Sequence, residues 1–264
     1  MNVRFHPDNE VIVQAAREIA ATLRGAGYEA LFAGGCVRDA LLGRQVKDID
    51  IVTSARPEKI ELLFPGATVP VGKSFGVVIV RRDGFSFDVA TFRSDGVYTD
   101  GRHPDQIAFA SPAEDAQRRD FTVNGLFCDS ESGQILDFVN GLEDLANNII
   151  RAIGDPDLRF CEDRLRMLRA LRFASTLGFT IEPETLAAVK RHACHIGTVS
   201  AERIAVELTR LLCESPKPSV GLSLLSSTGL LELLLPEVAA MRGTRQPPQF
   251  HPEGDVWTHT CLMM

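Results

Sequence analysis

Asp48 and Asp50 flank Ile49 and are followed by Ile51, an alternation with the period of two of a β-strand. That period puts both carboxylates on one side and both isoleucines on the side of a core. Two hard oxygen ligands side by side suit Mg²⁺. A few residues upstream the chain reads Phe32-Ala33-Gly34-Gly35-Cys36-Val37-Arg38-Asp39. Gly34 and Gly35 carry no Cβ and let the backbone come close to a bulky anion. Arg38 adds a bidentate donor, and Val37 to Leu42, stopped by Gly43 as a C′ residue, predicts a short helix whose N-terminus points towards the glycines. The unit suits a nucleoside triphosphate bound through Mg²⁺. A lone glycine pair would be read as a simple turn; here Arg38 and Asp48-x-Asp50 accompany it. Other phosphate-binding loops are excluded by spacing, because there is no G-x-x-x-x-G-K-[ST] and no third glycine of a dinucleotide fingerprint.

Three further groups of residues could take part. Asp88 interrupts an otherwise apolar strand, Phe85 to Ala90. It is either a third metal ligand or base for an attacking hydroxyl, since a carboxylate among apolar neighbours is costly unless it binds something, or an edge-strand residue facing water. Arg118-Arg119-Asp120-Phe121-Thr122-Val123-Asn124 gathers two cations, a carboxylate and an amide. Arg119 could hold phosphate and Asp120 or Asn124 a ribose hydroxyl, or the group could be a helix cap with salt bridges. The third group is Asp163, Arg166, Arg169 and Arg172, spaced at i+3 along a predicted helix. Such a ridge can be a solvated face. Asp163 and Arg166 also answer a recognition problem: cytosine and adenine each present an amino donor beside a ring-nitrogen acceptor, whereas uracil and guanine present a carbonyl beside an N–H. A carboxylate that only accepts and a guanidinium that only donates fit the first pair.

The elements that must position these residues divide the chain in two. Asp8 or Asn9 is placed to cap a first helix with Val11, Ala15, Ile19 and Leu23 on its apolar side, ending near Gly25 and Gly27. Strand patterns follow at 30–33, 48–52, 76–82 and 85–92, with Asp83-Gly84 as a hairpin turn between the last two. The first part is therefore α/β with a mixed sheet. From about Asn147 strand signals give way to helical periodicity at 161–177, 183–192, 201–213 and about 220–234. Pro216 and Pro218 interrupt this run and Pro236 ends it. Pro247, Pro248 and Pro252 mark a later break, after which the chain reads as stopping at the opening of a further domain.

At 264 residues the chain can build more than one domain, and 45% hydrophobic with 24% charged residues is ordinary for a soluble protein. A net charge of -7 argues against a uniformly basic nucleic-acid binder while leaving room for local basic patches. The six cysteines include no C-x-x-C, so reduced, cytoplasmic thiols are expected rather than a zinc site or a disulfide scaffold. Neither a signal peptide nor a membrane-length apolar run is seen.

Taken together, Gly34-Gly35-Cys36-Val37-Arg38-Asp39 with Asp48-x-Asp50, Asp88-Val-Ala-Thr-Phe-Arg93, Asp100-Gly-Arg-His-Pro104, Arg118-Arg-Asp-Phe-Thr-x-Asn124 and Glu162-Asp-x-x-Arg166-Met-Leu-Arg169 resemble the bacterial class II CCA-adding enzymes and poly(A) polymerases over roughly residues 28–235. The resemblance implies a nucleotidyltransferase head at 1–146, a helical neck that recognises the base at 147–215, and the start of a helical RNA-binding body at 216–264. It implies that Asp48 and Asp50 hold catalytic Mg²⁺, that Gly34, Gly35, Arg38 and Arg119 contact the nucleotide, and that Asp163 and Arg166 read the incoming base with Arg169 and Arg172 supporting the pocket or the phosphates. The implied activity is template-independent addition of C and A from CTP and ATP to the 3′ end of an RNA, most directly tRNA. Poly(A) or A-only addition, and a nucleotide- or RNA-binding fragment with impaired catalysis, are the alternatives. The polar loop holding Asp100 to Pro104 favours an enzyme able to add A. His251-Pro-Glu-Gly-Asp-Val-Trp-Thr-His259-Thr resembles the opening of a metal-dependent phosphohydrolase domain of some relatives; without a following His-Asp pair, His251 and His259 are expected to be structural.

Overall fold

The structure is a computed structural model that describes residues 3–69, 76–96 and 107–264; the Asp100–Pro104 motif lies outside the described residues. Two compact units divide at Asn147.

The first unit begins with α1 (Glu10–Gly25), β1 (Ala30–Ala33), α2 (Gly35–Leu41), β2 (Asp50–Thr53) and α3 (Pro57–Leu63). It continues through β3 (Thr68–Val69), β4 (Val77–Arg82), β5 (Phe85–Thr91), β6 (Arg93–Asp95), β7 (Ile107–Phe109) and α4 (Pro112–Gln117), and closes with β8 (Leu126–Asp129), β9 (Ile135–Asp137) and α5 (Gly141–Ala146). Seven strands form one sheet in the order β3-β4-β5-β2-β1-β8-β9, while β6 and β7 pair separately. The sheet is mixed because β5 runs parallel to β2 and every other described pairing in it is antiparallel. At the β4–β5 hairpin Asp83 and Gly84 take φ of 51° and 81°, the left-handed pair that an Asp-Gly turn supplies.

Strand alternation gives each sheet face its own apolar set. Leu31, Ala33, Val52 and Phe127 pack with Phe92 and with Ala116 of α4. Phe32, Ile51 and Val89, pointing the other way, are fully buried, and α1 lies against β1, β2 and β5. The buried residues of α1 are Val13, Ala15, Ala16, Ile19, Ala20 and Leu23; Val11, expected on that face, is 65% exposed. Asn9 precedes α1 but makes no side-chain cap. Its amide instead donates to Val46 O (2.8 Å) and accepts from Val46 N (2.9 Å), fixing the segment that leads into Asp48.

The second unit comprises β10 (Ile149–Ile150), α6 (Pro156–Glu162), α7 (Leu165–Leu177), β11 (Thr180–Ile181), α8 (Pro183–His192), α9 (Ala201–Cys213), α10 (Pro218–Ser227), α11 (Leu230–Leu234), α12 (Pro236–Ala239) and α13 (Val256–Met263). It is helical apart from the short parallel pair β10–β11, which the helical pattern of the sequence did not signal. Two predicted helices are each split. Asp163 adopts an extended conformation (φ -147°, ψ 106°) between α6 and α7. Gly229, left-handed at φ 79°, separates α10 from α11. Among the described residues no helix is long and apolar enough to cross a membrane.

Candidate active site

Gly34 links β1 to α2 with φ 76° and ψ -132°, a conformation that only glycine adopts without strain. Its N–H donates to Leu126 O (3.0 Å), tying the loop to β8. A Cβ at this position would stand 3.0 Å from Arg119 Nη1 and 3.7 Å from Asp50 Oδ2. The missing side chain is thus what lets a carboxylate and a guanidinium close over the loop. Beneath it, the buried Cys36 thiol donates to Ala33 O, and burial together with the nearby Asp50 charge pushes its pKa up.

The strand carrying the carboxylates starts at Asp50, with Asp48 just before it. The expected alternation is kept: Ile49 and Ile51 are buried, whereas Asp48 is exposed and Asp50 partly so. The parallel register pairs Ile51 with Val89, so the preceding residues, Asp50 and Asp88, are neighbours on one sheet face. Asp88 is exposed, as a residue facing water would be, but its strand lies inside the sheet between β4 and β2 and not at an edge. Although the residue as a whole is exposed, partial removal of its carboxylate from water, with the Asp48 charge, raises its pKa. Asp50 is pushed up to about 6, first by burial and then by Asp48, with Asp88 adding to the effect and Arg119 opposing it. Mutually repelling carboxylate oxygens are a donor set suited to a hard divalent cation, whose charge would remove the cost of ionising Asp50. The three do not form a tight all-protein cage. Among the described residues only His251, Glu253 and His259 bring three such donor atoms within 4.8 Å of one another.

The cations are held more firmly than the sequence suggested. Arg38 is buried beside the glycines, its Nη2 3.6 Å from where a Cβ on Gly35 would stand, and it grips Asp39 through Nε (2.8 Å) and Nη2 (2.9 Å) and donates through Nη1 to Asn124 Oδ1. Asp120 and Asn124 turn towards each other: Asp120 Oδ1 accepts from Phe121 N (2.8 Å) and Asn124 Nδ2 (3.1 Å). Arg38, expected at the phosphates, and Asp120, expected at a ribose hydroxyl, are thus both engaged with protein partners. These residues brace the glycine loop against 120–124, because buried polar groups must find partners. Arg119 donates through Nε (3.2 Å) and Nη2 (3.0 Å) to Asp115 Oδ2, lies 4.9 Å from the centre of the Phe127 ring, and turns Nη1 towards Gly34 and Asn124 O. Asp115 was missed from sequence, although its i+3 and i+4 spacing to Arg118 and Arg119 on a helix opened by a Ser111–Glu114 capping box signals the contact.

In the second unit the supposed ridge is not a single helical face. Asp163 sits in the break, where Oδ1 accepts from Leu165 N (3.0 Å) and Oδ2 from Arg203 Nη2 (2.7 Å). Arg166 is buried and donates to Glu162 Oε2 (2.6 Å) and Arg159 O (3.3 Å). Arg172, almost wholly buried, donates through Nε to Glu207 Oε2 (2.6 Å) and stacks on Phe173; this places it in the interior, away from the solvated face that i+3 spacing allows. Arg169 also stacks on Phe173, 3.7 Å from Glu207. Arg203 and Glu207, one helical turn apart on α9, are the partners that sequence reasoning did not find. Elsewhere in this unit His251 and His259 share one oxygen of Glu253, whose pKa is held down to about 2 by hydrogen bonds from its own backbone and from the two imidazoles.

A mixed sheet with an Asp-x-Asp strand start beside a glycine turn and a clamped arginine defines a nucleotidyltransferase head, followed by a helical unit. Comparison with known proteins agrees. Residues 30–151 match the poly A polymerase head domain family, and residues 178–242 match the family described as a probable RNA- and SrmB-binding site of polymerase A. The chain is 49% identical over 218 residues to the CCA-adding enzyme of Levilactobacillus brevis, covering 82% of this chain and 54% of that protein. It is 47% identical over 224 residues to the CCA-adding enzyme of a Geobacillus species, with 84% and 54% covered. The crystal structure of the Bacillus stearothermophilus CCA-adding enzyme in complex with CTP superposes with a TM-score of 0.75 at 41% identity, over 82% of this chain and 52% of that one. The chain belongs to the family of CCA-adding enzymes and poly(A) polymerases. It spans about half the length of the curated relatives it matches.

Proposed function

We propose that the protein is a template-independent RNA nucleotidyltransferase that adds C and A from CTP and ATP to the 3′ end of tRNA. The observation that carries this reading is the grouping of Asp48, Asp50 and Asp88 in one electrostatic field beside Gly34, with Arg119 the cation that opposes their repulsion at Asp50. The relatives named above as CCA-adding enzymes, one of them in complex with CTP, support it.

In the proposed reaction the RNA 3′-oxygen attacks the α-phosphorus of the nucleotide, the bond to pyrophosphate breaks, and the hydroxyl proton is lost. Asp48 and Asp50 would hold Mg²⁺, which when bound supplies charge neutralisation at the triphosphate and acidifies the 3′ hydroxyl. Asp88, exposed on the same sheet face, is placed to attract the cation or accept that proton. Arg119 offers Nη1 to the phosphates, and the backbone at Gly34 and Gly35 lets them approach. Arg38 and Asp120 keep the loop in shape. These groups position and neutralise charge and are blind to the base.

Base choice is assigned to Asp163 and Arg166. A carboxylate has about four lone-pair sites, so bonds from Leu165 and Arg203 fix its plane while leaving acceptor capacity for the amino group of C or A. Arg169 and Arg172 support that region through Glu207 and Phe173. Six unpaired cysteines suit a cytoplasmic protein.

The test is extension of tRNAs ending before, within and after CCA, with each nucleotide offered singly and the products sequenced. Stepwise C, C, A addition that Asp48→Ala and Asp50→Ala each abolish is expected. A-tails on any RNA would make the protein a poly(A) polymerase, and nucleotide binding without extension would make it a binding fragment.

A further inference from the structure

Asp115 is the most completely buried carboxylate in the described head, with no exposed surface. Burial alone would raise its pKa, but Arg119 and Arg118 outweigh burial and hold the carboxyl below its ordinary range, so it is charged. Oδ1 accepts from Arg118 Nε (2.8 Å), lies 2.7 Å from Arg118 Nη2, and accepts from the backbone N–H of Arg93 at the start of β6 (3.3 Å). Oδ2 accepts from Arg119 Nε (3.2 Å) and Nη2 (3.0 Å). The last pair takes one whole edge of the Arg119 guanidinium. With Phe127 under its face, Arg119 is left one orientation, in which Nη1 reaches the space above Gly34 that a Cβ would fill.

We propose that Asp115 is a positioning residue that aims Arg119 Nη1 at the triphosphate. This rests on the reading that Arg119 contacts the nucleotide phosphates. The arrangement has a property that makes the role separable from simple electrostatics. Asp115 is an anion close to an anion-binding site, so neutralising it should, by Coulomb's law alone, strengthen triphosphate binding. If its task is to aim Arg119, neutralising it must weaken binding, because a long arginine released from its clamp pays rotamer entropy to return. The two accounts differ in sign.

The experiment measures, on the whole chain by titration calorimetry with Mg²⁺, the binding of CTP and of inorganic tripolyphosphate, which has no base or sugar. Asp115→Asn should weaken both ligands by about tenfold or more, the size of one charge-assisted hydrogen bond. Arg119→Ala should weaken both to a similar extent, and adding Asp115→Asn to Arg119→Ala should change neither further. Asp115→Glu, which keeps the charge and the ion pairs on an arm one methylene longer, should recover part of the affinity and serves as the test if the Asn variant does not fold. Equal or tighter binding by a folded Asp115→Asn, or further loss on top of Arg119→Ala, would overturn the proposal. If the parent protein binds neither ligand, or Arg119→Ala binds both as well as the parent, it is the assignment of Arg119 to the phosphates that fails.

Discussion

Asp50→Asn should make the protein more stable at about pH 8 when divalent cations are chelated. The folded pKa of Asp50 is about 6 against an ordinary 3.8. At about 1.4 kcal/mol per unit the ionised carboxylate costs the folded state about 3 kcal/mol, which solvent screening at a partly exposed group brings to roughly 1–3 kcal/mol. The sign follows from linkage: a raised folded pKa contributes stability that is fully present below about pH 4 and is lost as pH rises through about 6. Asparagine mimics the neutral carboxyl and carries no such loss. Urea denaturation of parent and variant at about pH 4, 6 and 8 in EDTA should therefore show curves that coincide at the lowest pH and separate in favour of the variant at the highest. Added Mg²⁺ should stabilise the parent and leave the variant unmoved, narrowing or reversing the gap. Asp48→Asn should give part of the same gain, since Asp48 is the largest charge raising the Asp50 pKa. A difference that is constant across pH, or a variant less stable than the parent at about pH 8 without metal, would refute the account of a strained carboxylate awaiting a cation.

Gly34→Ala places a Cβ against Arg119 Nη1 in a backbone conformation foreign to L-residues, so it should lose about 1–3 kcal/mol in urea denaturation and bind Mg²⁺-CTP more weakly in calorimetry. Glu207→Gln leaves the almost wholly buried Arg172 charge without its counter-ion and should cost about 3–5 kcal/mol, read by thermal or urea unfolding. Asp163→Asn turns a group that only accepts into one that also donates; in single-nucleotide extension assays UTP and GTP incorporation should rise relative to CTP and ATP, and unchanged selectivity would remove Asp163 from base reading.

How far the sequence could be read depended on whether an element was set by local or distant forces. β1, α8 and α9 were legible to the residue, and the β4–β5 hairpin was legible from its Asp-Gly turn, because alternation, capping proline and turn glycine act within a few residues. The Asp48–Ile51 alternation was also correct in its orientation, since a strand's period follows from backbone geometry alone. The helix read through 161–177 failed at Asp163 for the opposite reason. No glycine or proline marks that break; Asp163 turns one oxygen to the Leu165 N–H and the other to Arg203, which lies forty residues later in the chain and is invisible to helical periodicity. Val11 misled in the same way, being apolar at the right spacing yet exposed, while Val13 took its place in the core.

The arginines carry protein contacts that their spacing in the sequence did not show, and the reason is electrostatic. From sequence, an arginine near a glycine loop or at i+3 from another is a donor in search of an anion. In the folded chain Arg38 already grips Asp39, Arg166 grips Glu162, Arg172 grips Glu207, and Arg118 and Arg119 share Asp115. Removing a guanidinium from water is costly unless a carboxylate meets it, so a buried arginine comes with its acid. The carboxylates obey no such rule at Asp50: there the Arg119 charge, itself answered by Asp115, is outweighed by burial and by Asp48, and the pKa rises to about 6 instead of falling. Among the described residues the buried arginines each meet a carboxylate, whereas at Asp50 the negative charge of Asp48 and Asp88, added to burial, outweighs Arg119. That excess is what a divalent cation would neutralise, and it is the electrostatic ground for proposing Asp48 and Asp50 as its ligands.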